Sequence, residues 1–170
     1  DEFASLVHKH QERIKALFNG YSPSVFRNTE LIYSDQIGAL VEDLGFKGIL
    51  TEGAKHVLGW KSPNYVYSNA LKPNLKVLLK NFRLSDDIAF RFGDKTWGDF
   101  PLSTDKFVSW LNALPKEEPV VNLFMDYETF GEHQWAETGI FEFMRHLPEA
   151  IFTQSNFTFS TPSEVLAALP

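Results

Sequence analysis

Cysteine is absent from the 170 residues, which excludes disulfides, thiol catalysis and cysteine-ligated metals. No run of about 18 apolar residues occurs, so the sequence predicts no transmembrane helix. Lys and Arg are not clustered and the net charge is −6, which argues against a nucleic-acid partner or an anionic membrane surface. No secretory signal pattern opens the chain, so we expect a cytoplasmic protein, with a periplasmic location left open.

What the sequence does contain is typical of a folded globular protein. It is 44% hydrophobic and 22% charged. The aromatic content of 15% includes four Trp and five Tyr. Most of these rings are expected to pack in a core, but exposed ones can also stack against the apolar faces of sugars.

Hydrophobic periodicity alternates between strand and helix patterns, which predicts an α/β fold. Strands are predicted at 24–29, 47–51, 75–79, 119–125 and 152–159, and helices at 2–18, 35–44, 104–114 and 134–146. Residues 54–74 are expected to be a loop with one short extended piece. Thr161-Pro162-Ser163-Glu164 is a capping box that predicts a terminal helix. Four or five strands are too few for a complete barrel.

Acidic residues follow several of the predicted strands. Asp126 ends the apolar run before it, and alternation would point Glu128 to the same side. Glu30 and Glu52 end two earlier strands. The carboxyl ends of parallel strands are where α/β folds keep their active sites. The residues alone leave Glu30, Glu52, Glu128 and Asp86 open as a partner for Asp126, and they equally allow Asp126 to cap a helix.

The segment DYETFGEHQW, which begins at Asp126, resembles the fourth conserved region of glycoside hydrolase family 57. This family contains α-amylase-type enzymes built on an incomplete (β/α)7-type barrel. By that resemblance, Asp126 is the general acid/base, and Glu128, Phe130 and Gly131 match the family's following Glu, aromatic and Gly. VFRNTELIYSD followed by GFKGILTEG is similar to the third conserved region, which makes Glu30 the catalytic nucleophile. RLSDDIAFRF and TWGDFPLSTDKFVSWL also look like the amylase-like subgroup.

The resemblance implies a fold, a reaction and a substrate. Residues 1–170 would be a single domain, the C-terminal portion of the catalytic barrel. The rest of that domain would lie upstream, because the family's first and second regions do not occur here. The reaction would be retaining hydrolysis of α-1,4-glucans or maltooligosaccharides without a cofactor or metal, with the two carboxyl groups about 5–5.5 Å apart. We expect these residues alone to be inactive.

Six residues are predicted to contact substrate, and five of them have a simpler alternative. Glu128 and His133 would hold sugar hydroxyls, but a structural hydrogen bond or an unliganded helix start explains them equally. Trp60 and Trp97 would be stacking platforms or loop packing, and Asp86 a substrate ligand or a cap. Phe130, on the same turn as Glu128, completes this group.

Other functions stay open at this stage. A 4-α-glucanotransferase or branching enzyme of the same family would use the same two carboxylates. A non-catalytic carbohydrate-binding relative would be expected to lack one of them. A metal-dependent deacetylase would need a His-x-x-x-His pair, which is absent. His133 and Glu137 have metal-compatible spacing but no third ligand.

Overall fold

The computed structural model describes residues 2–169. In chain order the helices and strands are α1 (Glu2–Leu17), β1 (Val25–Arg27), α2 (Asp35–Asp43), β2 (Gly48–Thr51), α3 (Lys55–Leu58), β3 (Val66–Ser68), β4 (Lys76–Leu79), α4 (Phe82–Ala89), α5 (Thr104–Asn112), α6 (Ile140–Gln154) and α7 (Pro162–Ala168). Short 3-10 turns cover Thr29–Leu31, Tyr127–Thr129 and Ala136–Thr138. The mixture of helices with a strand sheet confirms the α/β class.

These residues form two compact units. The first, here called the sheet unit, contains residues 2–52, 66–79 and 161–169. The second, here called the helical unit, contains residues 53–65 and 80–160. Each is described by itself.

The sheet unit is built on a four-stranded sheet in the order β1-β2-β4-β3. β1, β2 and β4 are parallel, with Gly48 in register with Val25 on one side and Lys76 on the other. The predicted strands at 24–29, 47–51 and 75–79 are therefore confirmed. The expected extended piece within 54–74 is β3, which is antiparallel to β4, so the prediction of parallel strands is wrong there. A short connection suffices to turn the chain back into an antiparallel neighbour, whereas parallel strands need a crossover.

The core of the sheet unit lies on and around its central strands. Val41 of α2, Ile49 of β2 and Leu78 of β4 are buried. Helix α7 lies close to β2, since a Cβ built on Gly48 would come within 2.5 Å of a Leu166 methyl. The capping box that starts α7 is present as predicted, with the Thr161 hydroxyl accepting from the Glu164 N–H.

The helical unit has its own core, made by the apolar faces of α4, α5 and α6. Ile88, Phe107 and Ile140 are almost completely buried. The rings of Phe107 and Phe143 meet edge to face, with centroids 6.0 Å apart. This packing explains why the amphipathic stripe predicted a helix at 104–114, which is confirmed as α5.

The prediction of a strand at 119–125 is wrong. This segment has no strand partner among residues 2–169. Val121, Leu123 and Met125 pack at alternate positions against the core of the helical unit. The apolar run that predicted a strand is therefore partly buried, but the neighbouring groups are helices and loops rather than another strand.

The helix predicted at 134–146 has the wrong bounds, and the strand predicted at 152–159 is wrong in type. Helix α6 begins after Gly139, whose φ is 85°, and runs through Pro148 to Gln154. Its apolar face continues past the proline, with Leu147 and Ile151 buried. Phe152 therefore lies on the last turn of a helix, where its ring packs against Phe159 with centroids 5.5 Å apart.

Candidate active site

Glu30 lies in the turn that follows β1, at the carboxyl end of the parallel strands. Its φ is 53°, and that of Leu31 is 55°. The left-handed region costs an L-residue roughly 1–2 kcal/mol, so two consecutive non-glycine residues there are uncommon. The Glu30 side chain is exposed, while Leu31 is buried. Strain of this kind persists only where surrounding bonds hold it, and it occurs often at functional sites.

Two side chains hold the Glu30 turn. Asn28 accepts from the Thr29 N–H at 3.0 Å and donates its own amide to the Ile32 carbonyl at 3.0 Å. Thr51, at the end of β2, donates its hydroxyl to the Leu31 carbonyl at 2.9 Å. The Glu52 N–H approaches the same carbonyl at 3.5 Å. The turn is therefore braced both from within and from the neighbouring strand.

The chain beyond Glu30 is fixed by a polar cluster in the same unit. The Tyr33 hydroxyl donates to Asp35 at 3.1 Å and accepts from Asn69 at 2.7 Å. Burial raises the pKa of Tyr33 above 10.0; the Asn69 bond lowers it, and Asp35 raises it further. A Cβ on Gly38 would collide with the Asn69 amide, so this close approach requires glycine.

Asp126 lies in the helical unit at the start of the Tyr127–Thr129 turn. Its carbonyl accepts from the Thr129 N–H at 3.1 Å. Its side chain makes no capping hydrogen bond there, so the alternative that Asp126 is a side-chain cap is wrong. The carboxylate is exposed, as is that of Glu128.

The loop after Asp126 is closed by Gln134. This buried residue donates its side-chain amide to the Ala89 carbonyl at 3.1 Å. Its backbone N–H donates to the Thr129 carbonyl at 2.9 Å, and its carbonyl accepts from Gly131 at 3.0 Å. Phe130 packs against the helical core. The exposed His133 ring lies beside Phe90, with centroids 6.3 Å apart.

The remaining predicted substrate contacts differ in exposure. Trp60 is 92% exposed. Trp97 packs edge to face against Trp110, with centroids 6.1 Å apart, and Arg91 lies over its ring at 5.9 Å. Packing therefore accounts for Trp97 without a ligand.

Asp86 pairs with Lys80 at 3.0 Å, and both side chains are largely shielded from solvent. The alternative that Asp86 is a cap is wrong, because α4 begins at Phe82 and Asn81 is its cap, accepting from the Leu84 N–H at 3.1 Å. Asp86 lies inside that helix.

Sequence reasoning missed a buried polar network that anchors the segment leading to Asp126. The Asn81 amide donates to the Asn64 side chain at 3.0 Å, and Asn64 donates to Glu118 at 2.6 Å. The Asn81 N–H donates to the Asn122 carbonyl at 2.8 Å, and the Ser85 hydroxyl accepts from the Phe124 N–H at 3.2 Å. Nothing in the local sequence marks these residues, since their partners are distant along the chain.

Other kinds of site find little support within the described part of the chain. Among residues 2–169 no group of three or more His, Cys, Asp or Glu side chains could hold a metal ion. None of the helices in this range is long and apolar enough to cross a bilayer.

Comparison with known proteins gives a consistent result. A protein of Methanocaldococcus jannaschii named "Putative alpha-amylase" is 49% identical over 169 residues, which is 99% of this chain and 35% of that protein. The crystal structure of a 4-alpha-glucanotransferase from Thermococcus litoralis matches with a TM-score of 0.68 and 19% identity, over 95% of this chain and 25% of that one. The chain thus spans about a third or less of each of these proteins. The family model described as Glycosyl hydrolase family 57 matches residues 1–170, so the chain belongs to that family.

Proposed function

We propose that the full-length protein is a retaining glycoside hydrolase of the α-amylase type, acting on α-1,4-glucans. Glu30 is the nucleophile and Asp126 the general acid/base. The observation that carries the proposal is the exposed Glu30 carboxylate on a strained, braced turn at the carboxyl end of parallel strands. Family membership over residues 1–170 and the name of the relative from Methanocaldococcus jannaschii support it.

The reaction has two steps. A Glu30 oxygen bonds to the anomeric carbon while the glycosidic C–O bond breaks, and the Asp126 proton passes to the departing oxygen. A water molecule then attacks the anomeric carbon, giving a proton to Asp126 as the Glu30 ester bond breaks. Two inversions give net retention. This chemistry requires the two carboxyl groups to lie about 5–5.5 Å apart, which stays a prediction for the full-length protein.

We further propose that substrate contacts come from the Asp126 turn and from Trp60. Glu128 and His133 have exposed polar side chains suited to sugar hydroxyls. Phe130 and the largely exposed Trp60 offer apolar faces for stacking. For Asp86 and Trp97 a substrate contact also stays a prediction, although Lys80 and Trp110 already account for their positions.

The test uses the full-length protein and maltoheptaose. Glu30→Gln should abolish hydrolysis, whereas Glu52→Gln, the other acid at a neighbouring strand end, should keep most of it. A 5-fluoro maltosyl fluoride should trap an ester, and mass spectrometry should locate that ester on Glu30. Products should retain the α configuration. An ester on another residue, or inverted products, would refute the assignment.

Product analysis separates hydrolysis from transfer. Incubation with maltotriose should yield glucose and maltose if hydrolysis dominates. Accumulation of longer oligosaccharides would show a glucanotransferase, and new α-1,6 branches would show a branching enzyme. Binding of maltoheptaose with no turnover by the full-length wild-type protein would favour the non-catalytic relative.

We also propose that residues 1–170 are the C-terminal portion of a larger catalytic domain. The chain covers only 35% of its relative from Methanocaldococcus jannaschii, and the sequence lacks the family's first two conserved regions. The 170 residues alone should therefore fail to turn over maltoheptaose under conditions in which the full-length protein does.

A further inference from the structure

We propose that Thr51 is a positioning residue for the nucleophile, with Asn28 in a secondary role. The inference rests on the proposed function, because it takes Glu30 as the attacking group. Thr51 would not touch substrate; it would act by holding the backbone from which Glu30 projects.

The first step of the argument is the bond itself. The Thr51 hydroxyl donates to the Leu31 carbonyl at 2.9 Å, and both residues are buried. Leu31 directly follows Glu30, so this bond fixes the Leu31–Ile32 peptide plane, one residue beyond the nucleophile. The other donor to that carbonyl, the Glu52 N–H, is at 3.5 Å and is therefore the weaker one.

The second step is the conformation that the bond holds. Both Glu30 and Leu31 are left-handed, with φ of 53° and 55°. Neither residue adopts this conformation readily, so without a restraint the turn would relax toward an ordinary backbone region. Relaxation at either residue would redirect the Glu30 side chain, while the parallel strands on which the turn is built could stay in place.

The third step is that Asn28 and Thr51 bond to different parts of the turn. The Asn28 side chain bonds to the two ends of the turn, at the Thr29 N–H and the Ile32 carbonyl, and its backbone carbonyl accepts from the Leu31 N–H at 3.1 Å. Thr51 bonds to its centre, from a neighbouring strand in register with β1. Thr51 thereby ties the turn to the sheet, and Asn28 closes the turn upon itself.

The test compares Thr51→Val, which removes the hydroxyl at nearly constant shape, with Thr51→Ser, which keeps it. In the full-length protein, T51V should lower kcat for fluoride release from α-maltosyl fluoride by about 10- to 100-fold with KM little changed, because small misplacement of a reacting group costs rate on this scale. T51S should stay within a few-fold of wild type. Asn28→Ala should give a smaller loss in the same direction.

The matched control is Thr153→Val. Thr153 also donates its hydroxyl to a backbone carbonyl, that of Glu149 at 2.7 Å, but it lies in α6 of the helical unit. T153V should leave kcat unchanged.

Trapping with the 5-fluoro maltosyl fluoride distinguishes positioning from folding. Each T51V molecule should eventually form one trapped ester, as in the wild type, but at a lower rate. If T51V instead traps less than one equivalent at the normal rate, Thr51 only supports folding. A wild-type rate in T51V would also overturn the inference. If Glu30→Gln keeps activity, the proposed function itself fails, whatever Thr51 does.

Discussion

The turn that carries Glu30 and the turn that carries Asp126 are held in different ways. The Glu30 turn is short and strained, and it is braced directly by Thr51 on the adjacent strand. The Asp126 turn follows a segment without a strand partner in the described range. Its approach is anchored by Asn81 and Ser85 of the α4 region, and its far end by Gln134.

The difference teaches that a regular sheet is not the only means of placing a carboxylate. The sheet supplies the Glu30 turn with a rigid donor on the adjacent strand, Thr51, in addition to the bonds that the Asn28 side chain makes within the turn. The segment leading to Asp126 has no neighbouring strand in the described range. Its backbone groups bond instead to the buried Asn81 N–H and the Ser85 hydroxyl. Buried polar networks of this kind are costly when only partly satisfied, and here no buried side-chain N or O atom in the described range lacks a partner. Substitutions at the two turns should therefore have different effects on activity and stability.

The largest expected effect is the loss of kcat when Asp126 can no longer act as the general acid/base. Asp126→Asn should lower kcat on maltoheptaose by about 10²–10⁴-fold, the usual contribution of a general acid or base. The initial burst of fluoride release from α-maltosyl fluoride should survive, because fluoride departs without a proton. Glu30→Gln should abolish both. Glu132→Gln, an exposed neighbour on the same loop, serves as the control and should behave as wild type. Loss of the burst in D126N would contradict the division of roles.

The next largest effect is on the free energy of unfolding, when Asn81, which anchors the segment leading to Asp126, is replaced. Asn81→Ala removes the cap of α4 and leaves the Asn64 side-chain oxygen without its donor. We expect a loss of about 2–4 kcal/mol in the free energy of unfolding, combining a cap and a buried unsatisfied group. Chemical denaturation measures it. Asn112→Ala, which removes an exposed amide bond to the Gln154 carbonyl, should cost well under half as much. Equal losses in both variants would disprove a special role for the network.

A smaller effect should reveal the strain at Glu30. Glycine adopts a φ of 53° without steric cost, whereas alanine does not. Glu30→Gly should therefore be more stable than Glu30→Ala by about 0.5–1 kcal/mol, after the greater unfolded-state freedom of glycine is counted. At Glu12, inside α1, the order should reverse, with E12A more stable than E12G by about 1 kcal/mol. The same order at both positions would mean that the Glu30 backbone is unstrained.

The smallest effect concerns pH and the cap of α7. Hydrogen bonds from the Thr161 backbone and then from its hydroxyl lower the pKa of Glu164 below its ordinary value of 4.5. A carboxyl with a lowered folded-state pKa stabilises the fold above its unfolded pKa, and that contribution is lost as pH falls through the folded value. An NMR titration should show the Glu164 midpoint below 4.5 and, in Thr161→Ala, a shift back toward it. An unchanged midpoint in T161A would exclude the capping bonds as the cause.

Local patterns predicted the elements whose signals are complete within a few residues. The stripes of α2 and α5 and the capping box of α7 were recognised because cap, periodicity and stop lie within one short segment. The parallel strands were recognised by their apolar runs. Residues 119–125 were misassigned because a short apolar run that packs against helices looks the same in a sequence as one that forms a buried strand. Helix α6 continues past its predicted end at 146, because core packing on both sides of Pro148 outweighs the hydrogen bond that proline removes.

The sequence by itself determined the α/β class through its hydrophobic periodicity and the family through motifs at fixed short spacings, and the two carboxylates proposed to act follow from the resemblance to that family. Only the tertiary structure decided that Glu30 is left-handed, that Thr51 braces it and that Asn81 anchors the Asp126 segment. The bond from Thr51 to Leu31 joins residues 20 apart, and that from Asn81 to Asn64 joins residues 17 apart. Such partners meet only after the chain has folded, so no local pattern can encode which of many polar residues they will be.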